Sequence, residues 1–137
     1  WAPQDMKDMA LPPCHYAFQI YINNGKLDLM WMQRSVDTFL GLPYDIAMYG
    51  LLLEMLAKGA DLIPGELIGQ FGDCHLYNNH LEQAKLYLSR PNRALPQLEL
   101  ESGIYLDEFL YIPLADEIKL INYNPYAAIK AELSVGK

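Results

Sequence analysis

Tyr16-Ala17-Phe18-Gln19-Ile20-Tyr21-Ile22, Asn23-Asn24-Gly25, Lys26-Leu27-Asp28-Leu29-Met30-Trp31-Met32: the fold turns on this stretch. Two runs rich in aromatic and aliphatic residues flank an Asn-Gly pair. Asn and Gly tolerate the positive φ of a tight turn, so the stretch reads as a β-hairpin. The alternation is imperfect and strongly apolar, so both faces of the hairpin are expected to be covered.

Working outward, residues 45–58 predict a helix. Asp45 stands where an N-cap would, Ile46 to Leu56 are nearly all apolar, and Gly59 sits where a left-handed C′ glycine belongs. A helix apolar almost all round is expected to be buried. Residues 66–77 read as a strand broken at Gly69 and Gly72. A second helix is predicted from His80 to Ser89, with Asn79 and Glu82 as a capping box and Pro91 ending it. Leu98 and Leu100 suggest one short strand, Ile118 to Tyr123 another. Strands with segregated helices give an α+β class rather than alternating βαβ units.

The 137 residues allow one domain. An apolar fraction of 52% against 20% charged supports a real core and excludes wholesale disorder. A formal charge of −7 argues against a nucleic-acid or anionic-membrane surface. No run of 18 apolar residues suggests a membrane span. A small anionic ligand must be met by a few placed cations, and the arginines are Arg34, Arg90 and Arg93. No secretory signal is visible, so a cytoplasmic location with Cys14 and Cys74 as free thiols is expected. Cys74, His75 and His80 are too few and too irregularly spaced to suggest zinc. Trp1 is not an initiator, and Trp1-Ala2-Pro3-Gln4 carries no start signal, so the sequence reads as a piece of a longer protein.

Three local motifs carry chemistry. In Leu11-Pro12-Pro13-Cys14-His15, two prolines fix the backbone ahead of a thiol, a candidate nucleophile beside an imidazole. In Gln33-Arg34-Ser35-Val36-Asp37, a guanidinium followed by a hydroxyl suits a phosphate. In Gly72-Asp73-Cys74-His75-Leu76-Tyr77, His75 and Tyr77 fall on one side of an extended strand and suit a sugar hydroxyl. Each has an ordinary alternative: a buried structural cysteine, an Arg–Asp ion pair at a strand end, an aromatic stripe.

Their order decides between these readings. Pro-Pro-Cys-His, Gln-Arg-Ser-x-Asp, Gly-Leu-Pro-Tyr, Gly-Asp-x-His-x-Tyr-x-Asn-His and a late Tyr-Asn-Pro with Ile-Lys together resemble the thymidylate synthase family, from about Met9 to Val135. The resemblance implies a thymidylate-synthase-like α+β fold with a mixed β-sheet and buried and flanking helices. It implies that Cys14 adds to C6 of a pyrimidine deoxynucleoside monophosphate, activating C5 toward the one-carbon unit of 5,10-methylenetetrahydrofolate. It matches Arg34 and Ser35 to phosphate contacts, with Arg34 also beside the thiol. It assigns the nucleotide-binding stretch Gln33, Arg34, Ser35, Val36 and Asp37, the residue at Asp45, and His75, Leu76 and Tyr77 near the ribose. Asp37 and Ser134 match folate contacts, and His15 is expected to be structural. A homodimer is implied, as is a C-terminal tail that closes over the folate. Residues 1–137 then correspond to the C-terminal part of one such domain, and the chain alone is expected to be inactive.

One departure bears on substrate. The family motif usually reads aromatic-Asn-Ile-Ala, and here it is Tyr44-Asp45-Ile46-Ala47. An amide can accept from uracil N3–H and donate to O4, whereas an ionised carboxylate only accepts. Asp45 therefore favours the N4 amine of cytosine, as in the deoxycytidylate hydroxymethylase branch. An ordinary thymidylate synthase acting on dUMP is the alternative, as is an inactive fragment of either. Gly136-Lys137 extend past the usual terminal aliphatic residue and are expected to loosen closure. Water capture would then give hydroxymethyl, and hydride transfer methyl. Met48 and Tyr126 also depart from the family without a functional account.

Overall fold

The computed structural model describes residues 3–106 and 110–134; the Gly136-Lys137 extension lies outside them. β1 (His15–Asn23) and β2 (Lys26–Asp37) form the expected antiparallel hairpin, with Asn23 opposite Lys26. Asn24 and Gly25 make a two-residue loop with φ of 51° and 76°, the two positive values of a type I′ turn. α1 (Leu42–Gly59) then crosses over, and β3 (Ile63–His75) returns parallel to β2. The sheet is ordered β1-β2-β3 and is mixed.

The core lies where α1 meets one face of the sheet. Leu27, Leu29 and Trp31 alternate toward it along β2. Tyr49, Leu53 and Ala57, four residues apart, form the buried stripe of α1 that covers them. Beyond β3 come a 3-10 turn (Asn78–His80), α2 (Leu81–Leu88), β4 (Gln97–Leu100), β5 (Tyr105–Leu106), β6 (Leu110–Tyr111), a 3-10 turn (Ala115–Glu117) and β7 (Ile118–Ile121). β4 pairs antiparallel with β7, and β5 with β6. The α+β class with a mixed sheet and helices is thus the observed one. Among the described residues, no helix is long and apolar enough to cross a membrane.

Several expectations are corrected. Within this chain the hairpin is not covered on both faces: Phe18, Ile20 and Ile22, opposite Trp31, Leu29 and Leu27, stay exposed because α1 sits over β2 and β3 and not over β1. α1 is accordingly buried along one stripe only, with Tyr44, Ile46 and Met48 exposed. Asp45 is not its N-cap. The helix starts three residues earlier behind Gly41, with Pro43 in its first turn, where a missing N–H costs nothing. Gly59 is not the left-handed terminator; that place falls to Asp61 at φ 54°. Gly59 is instead a contact glycine, because a Cβ there would run into the Ile104 carbonyl.

β3 runs unbroken through Gly69 and Gly72. A side chain at Gly69 would collide with Phe71 and Trp31, and one at Gly72 with the Arg34 carbonyl. The Asn79–Glu82 capping box does not form. Glu82 pairs with Lys85 at 2.7 Å, and α2 begins after the 3-10 turn. The last strand stops at Ile121, since Asn122 turns to φ 60°.

Candidate active site

Cys14 lies just before β1, half-buried and unpaired by any disulfide. Arg34 reaches it from β2: Nε donates to the Pro13 carbonyl at 3.0 Å and Nη2 to the Pro12 carbonyl at 2.6 Å. Nη2 also comes within 3.7 Å of Cys14 Sγ. Proline φ is locked, so these two carbonyls present a rigid fork to the guanidinium. Cation and thiol are held against each other before any ligand arrives.

β1 pairs with β2 only as far as Gln33. From Ser35 to Asp37, β2 is laddered to β3 alone, facing Asp73, Cys74 and His75, which leaves an open edge beside Cys14. The register brings the second and third sequence motifs to this same end of the sheet. His75 and Tyr77 meet edge to face with ring centres 4.9 Å apart. Asp73 Oδ2 comes within 3.3 Å of His75 Nδ1, without hydrogen-bond alignment. Leu76 is exposed between them, and Val36 is fully buried. Asp37 Oδ1 accepts from the Phe39 and Leu40 N–H groups at 2.9 and 3.2 Å, turning the chain into α1.

Asp45, in the first turn of α1, is the junction of a second network. Gln33 is 4% exposed, and its Nε2 donates to Asp45 Oδ2 at 2.9 Å and to the Ser35 carbonyl at 3.0 Å. Gln33 Oε1 accepts from the Trp31 indole N–H at 3.1 Å. On the other side, His15 Nε2 lies 3.3 Å from Asp45 Oδ1, and His15 Nδ1 lies 3.3 Å from the Tyr49 hydroxyl. The Tyr49 hydroxyl and His15 Nδ1 share one hydrogen bond, whose direction follows the imidazole tautomer, while His15 Nε2 meets Asp45 Oδ1 at ion-pair distance without hydrogen-bond alignment. Burial, and then the charge on Asp45, push Tyr49 above its ordinary value, which keeps its proton in place. Asp45 Oδ2 thus carries a donor, and Oδ1 lies beside the imidazole with its lone pairs uncommitted.

The C-terminal segment docks nearby. His80, fully buried between Phe39 and Tyr77, has Nε2 2.7 Å from the Glu132 carbonyl. Ser134 Oγ donates to Asn79 Oδ1 at 3.1 Å. Tyr126 has a structural place: its hydroxyl donates to the Pro91 carbonyl, and Arg93 stacks over its ring at 3.7 Å.

A family model described as thymidylate synthase matches residues 1–135. The chain belongs to the thymidylate synthase family. Membership makes folate-dependent one-carbon transfer to a pyrimidine nucleotide its reaction class. Against that chemistry, the structure brings Cys14, Arg34, Ser35, Asp37, His75 and Tyr77 to one end of the thymidylate synthase sheet. Gln33 is different: its polar atoms are all engaged inside the chain, and it acts on Asp45. Trp31, Tyr49, Asn79 and His80 were not singled out as site residues from the sequence. Two signals bear on the first pair, since Tyr49 stands four residues from Asp45 on one helix and Trp31 two from Gln33 on one strand.

Asp37 and Ser134, the residues expected from the sequence to contact folate, lie at the turn after β2 and on the C-terminal segment. Asp37 uses one carboxylate oxygen to cap its turn and keeps the other. Ser134 is anchored to the turn at Asn79, whose neighbour His80 packs on Phe39. These groups fit a polar cofactor rim between the Asp37 turn and the C-terminal segment.

Proposed function

We propose that this protein uses Cys14 to attack C6 of a pyrimidine deoxynucleoside monophosphate, with cytosine favoured over uracil by Asp45. The observation that carries the base choice is the fixed Gln33 Nε2–Asp45 Oδ2 hydrogen bond, which holds position 45 as an acceptor. An acceptor matches the N4 amine and opposes the O4 carbonyl. Leaving a buried polar group unmatched costs about 1–3 kcal/mol, enough to reverse a preference.

As the thiolate forms its bond to C6, the C5–C6 π electrons move toward C5, which becomes the nucleophile. Arg34 Nη2, 3.7 Å from the sulfur, keeps the guanidinium against the attacking atom. The guanidinium edge not used on the proline carbonyls, together with Ser35, meets the phosphate at the open edge of β2. His75 and Tyr77 meet the ribose hydroxyl, with Leu76 between them. Asp37 and Ser134 hold 5,10-methylenetetrahydrofolate, which supplies the one-carbon unit when bound.

Two wider readings accompany this one. The free thiols support a reducing compartment such as the cytoplasm. The uncovered strips of the sheet, Phe18, Ile20 and Ile22 on the α1 face and Tyr21 and Ile68 on the other, support further covering by the rest of a catalytic domain and by a homodimer. On this reading residues 1–137 form the C-terminal part of the domain and do not turn over alone.

The test is the ratio of kcat/KM on dCMP and dUMP in the active protein, with product mass, before and after Asp45→Asn. The expected result is a parent that prefers dCMP and a variant displaced toward dUMP. A parent that prefers dUMP replaces this reading with an ordinary thymidylate synthase.

A further inference from the structure

The structure assigns Trp31 as a positioning residue for base choice, acting through Gln33 on position 45. The assignment rests on the reading that residue 45 faces the pyrimidine edge. Trp31 is 3% exposed. It stacks on Tyr49 with centroids 5.0 Å apart at 17° and meets Phe71 edge-on at 5.3 Å. Gly69 brings the neighbouring strand close to the ring, where a Cβ would collide with it. The indole cannot turn, so its N–H has one direction.

An indole N–H can only donate. Gln33 must therefore offer Oε1 to Trp31, as it does at 3.1 Å. Its Nε2 is then committed to the opposite side, where the Ser35 carbonyl and Asp45 Oδ2 both only accept. A flipped amide would set N–H against N–H and oxygen against two oxygens. Gln33 is thus a donor of fixed sense toward position 45, and the amide ambiguity that coordinates alone leave open is resolved by its neighbours.

This fixed sense matters differently for the two side chains that position 45 can carry. A carboxylate has two equivalent oxygens and shows an acceptor to the base whichever one Gln33 holds. An amide does not. Its oxygen must face Gln33, so its NH2 takes the place of Oδ1. One hydrogen lies on the side of His15 Nε2, which accepts it as the Nδ1–H tautomer, and the other is turned toward the base, where it matches a carbonyl and opposes an amine. The discrimination that Asp45→Asn introduces therefore belongs to Trp31 and Gln33 as well as to residue 45. Because the Ser35 carbonyl favours the same sense, losing the indole N–H weakens the orientation without abolishing it.

Four proteins test this: the active parent, Asp45→Asn, Trp31→Phe and the double variant, each with kcat/KM on dCMP and dUMP. Asp45→Asn is expected to move the dCMP/dUMP ratio toward dUMP by at least about tenfold when Trp31 is present. In the Trp31→Phe background that shift is expected to shrink by about threefold to tenfold, the effect of one orphaned buried acceptor. Trp31→Phe alone is expected to leave the ratio within about twofold, because Asp45 has no sense to lose. The signature is a non-additive cycle in the ratio. A merely structural loss lowers both substrates alike in both backgrounds.

An equal shift with and without the indole overturns the role of Trp31 and leaves that of Asp45 standing. No shift in either background overturns both. If Trp31→Phe does not fold, site-specific replacement of Trp31 by its benzothiophene isostere keeps the ring and removes only the N–H. The same comparison then applies, with the same outcomes.

Discussion

Arg34 holds Cys14 by main chain and side chain together. Its backbone N–H donates to the Cys14 carbonyl at 2.9 Å, and its Nη2 stands 3.7 Å from the Cys14 sulfur. The same side chain takes the carbonyls of Pro12 and Pro13, the two residues that lead into the thiol. Cys14 is thereby located by β2, the central strand, although it precedes β1 in the chain. A ligand that draws on the guanidinium acts on the thiol and its approach loop at once.

Cys14→Ala is expected to abolish turnover and the covalent complex with a 5-fluoropyrimidine nucleotide, read as the mass of the denatured protein. Cys74→Ala is expected to keep both, since Cys74 is exposed on β3 opposite Val36. A complex that survives Cys14→Ala would place the nucleophile elsewhere.

Arg34→Ala is expected to weaken nucleotide binding by about 10- to 100-fold, the range of a lost charge-assisted hydrogen bond to phosphate. It is also expected to slow covalent-complex formation, because the Pro12-Pro13 loop loses its clamp. Arg34→Lys should recover part of the binding and little of the rate, since an ammonium cannot span both carbonyls and the sulfur. Calorimetric titration and single-turnover trapping separate the two effects. Unchanged binding in Arg34→Ala would remove the phosphate role.

Gly59→Ala reverses an ordinary expectation. Alanine within a helix gains about 1 kcal/mol over glycine. Here Gly59 is the last residue of α1, and a Cβ would strike the Ile104 carbonyl, while Gly103 packs on the same backbone. The Ile104 N–H donates to the Met55 carbonyl at 2.9 Å, so that segment cannot simply retreat. The net effect is expected to be destabilising by about 1–3 kcal/mol in urea unfolding. A more stable variant would show that the 103–104 segment is not held against α1.

Acid sensitivity should trace in part to Glu117. The Tyr111 hydroxyl, then the Leu114 N–H and Ser102, hold its carboxyl below the ordinary 4.5. A carboxyl lowered in the folded state contributes stability above the ordinary value and loses it as pH falls through the lowered one. Glu117→Gln should therefore lower Tm at neutral pH and narrow its gap to the parent as pH drops below about 4.5. Thermal unfolding from pH 7 to pH 3 gives the comparison. A gap that does not close on acidification would assign the loss to packing instead.

What the sequence determined by itself is local or ordered along the chain. Asn24-Gly25 dictates a turn of positive φ because few other pairs adopt it without strain. The apolar spacing of Leu27, Leu29 and Trp31, and of Tyr49, Leu53 and Ala57, marks the faces that meet, because period two and period four are properties of strand and helix. The motifs from Pro12 to Lys130 occur in an order that carries the family resemblance without any coordinates. Tertiary structure alone decided what the same residues touch. Asp45 has the local pattern of an N-cap, but the helix begins at Leu42, and its carboxylate goes to Gln33 and His15, 12 and 30 residues away along the chain. Gly59, Gly69 and Gly72 have the pattern of breaks, and they are places where another backbone or ring comes close. Periodicity names the face a side chain leaves from. Which element lies opposite depends on strand register and on the residue at which a helix starts, and both are settled by packing of the whole core.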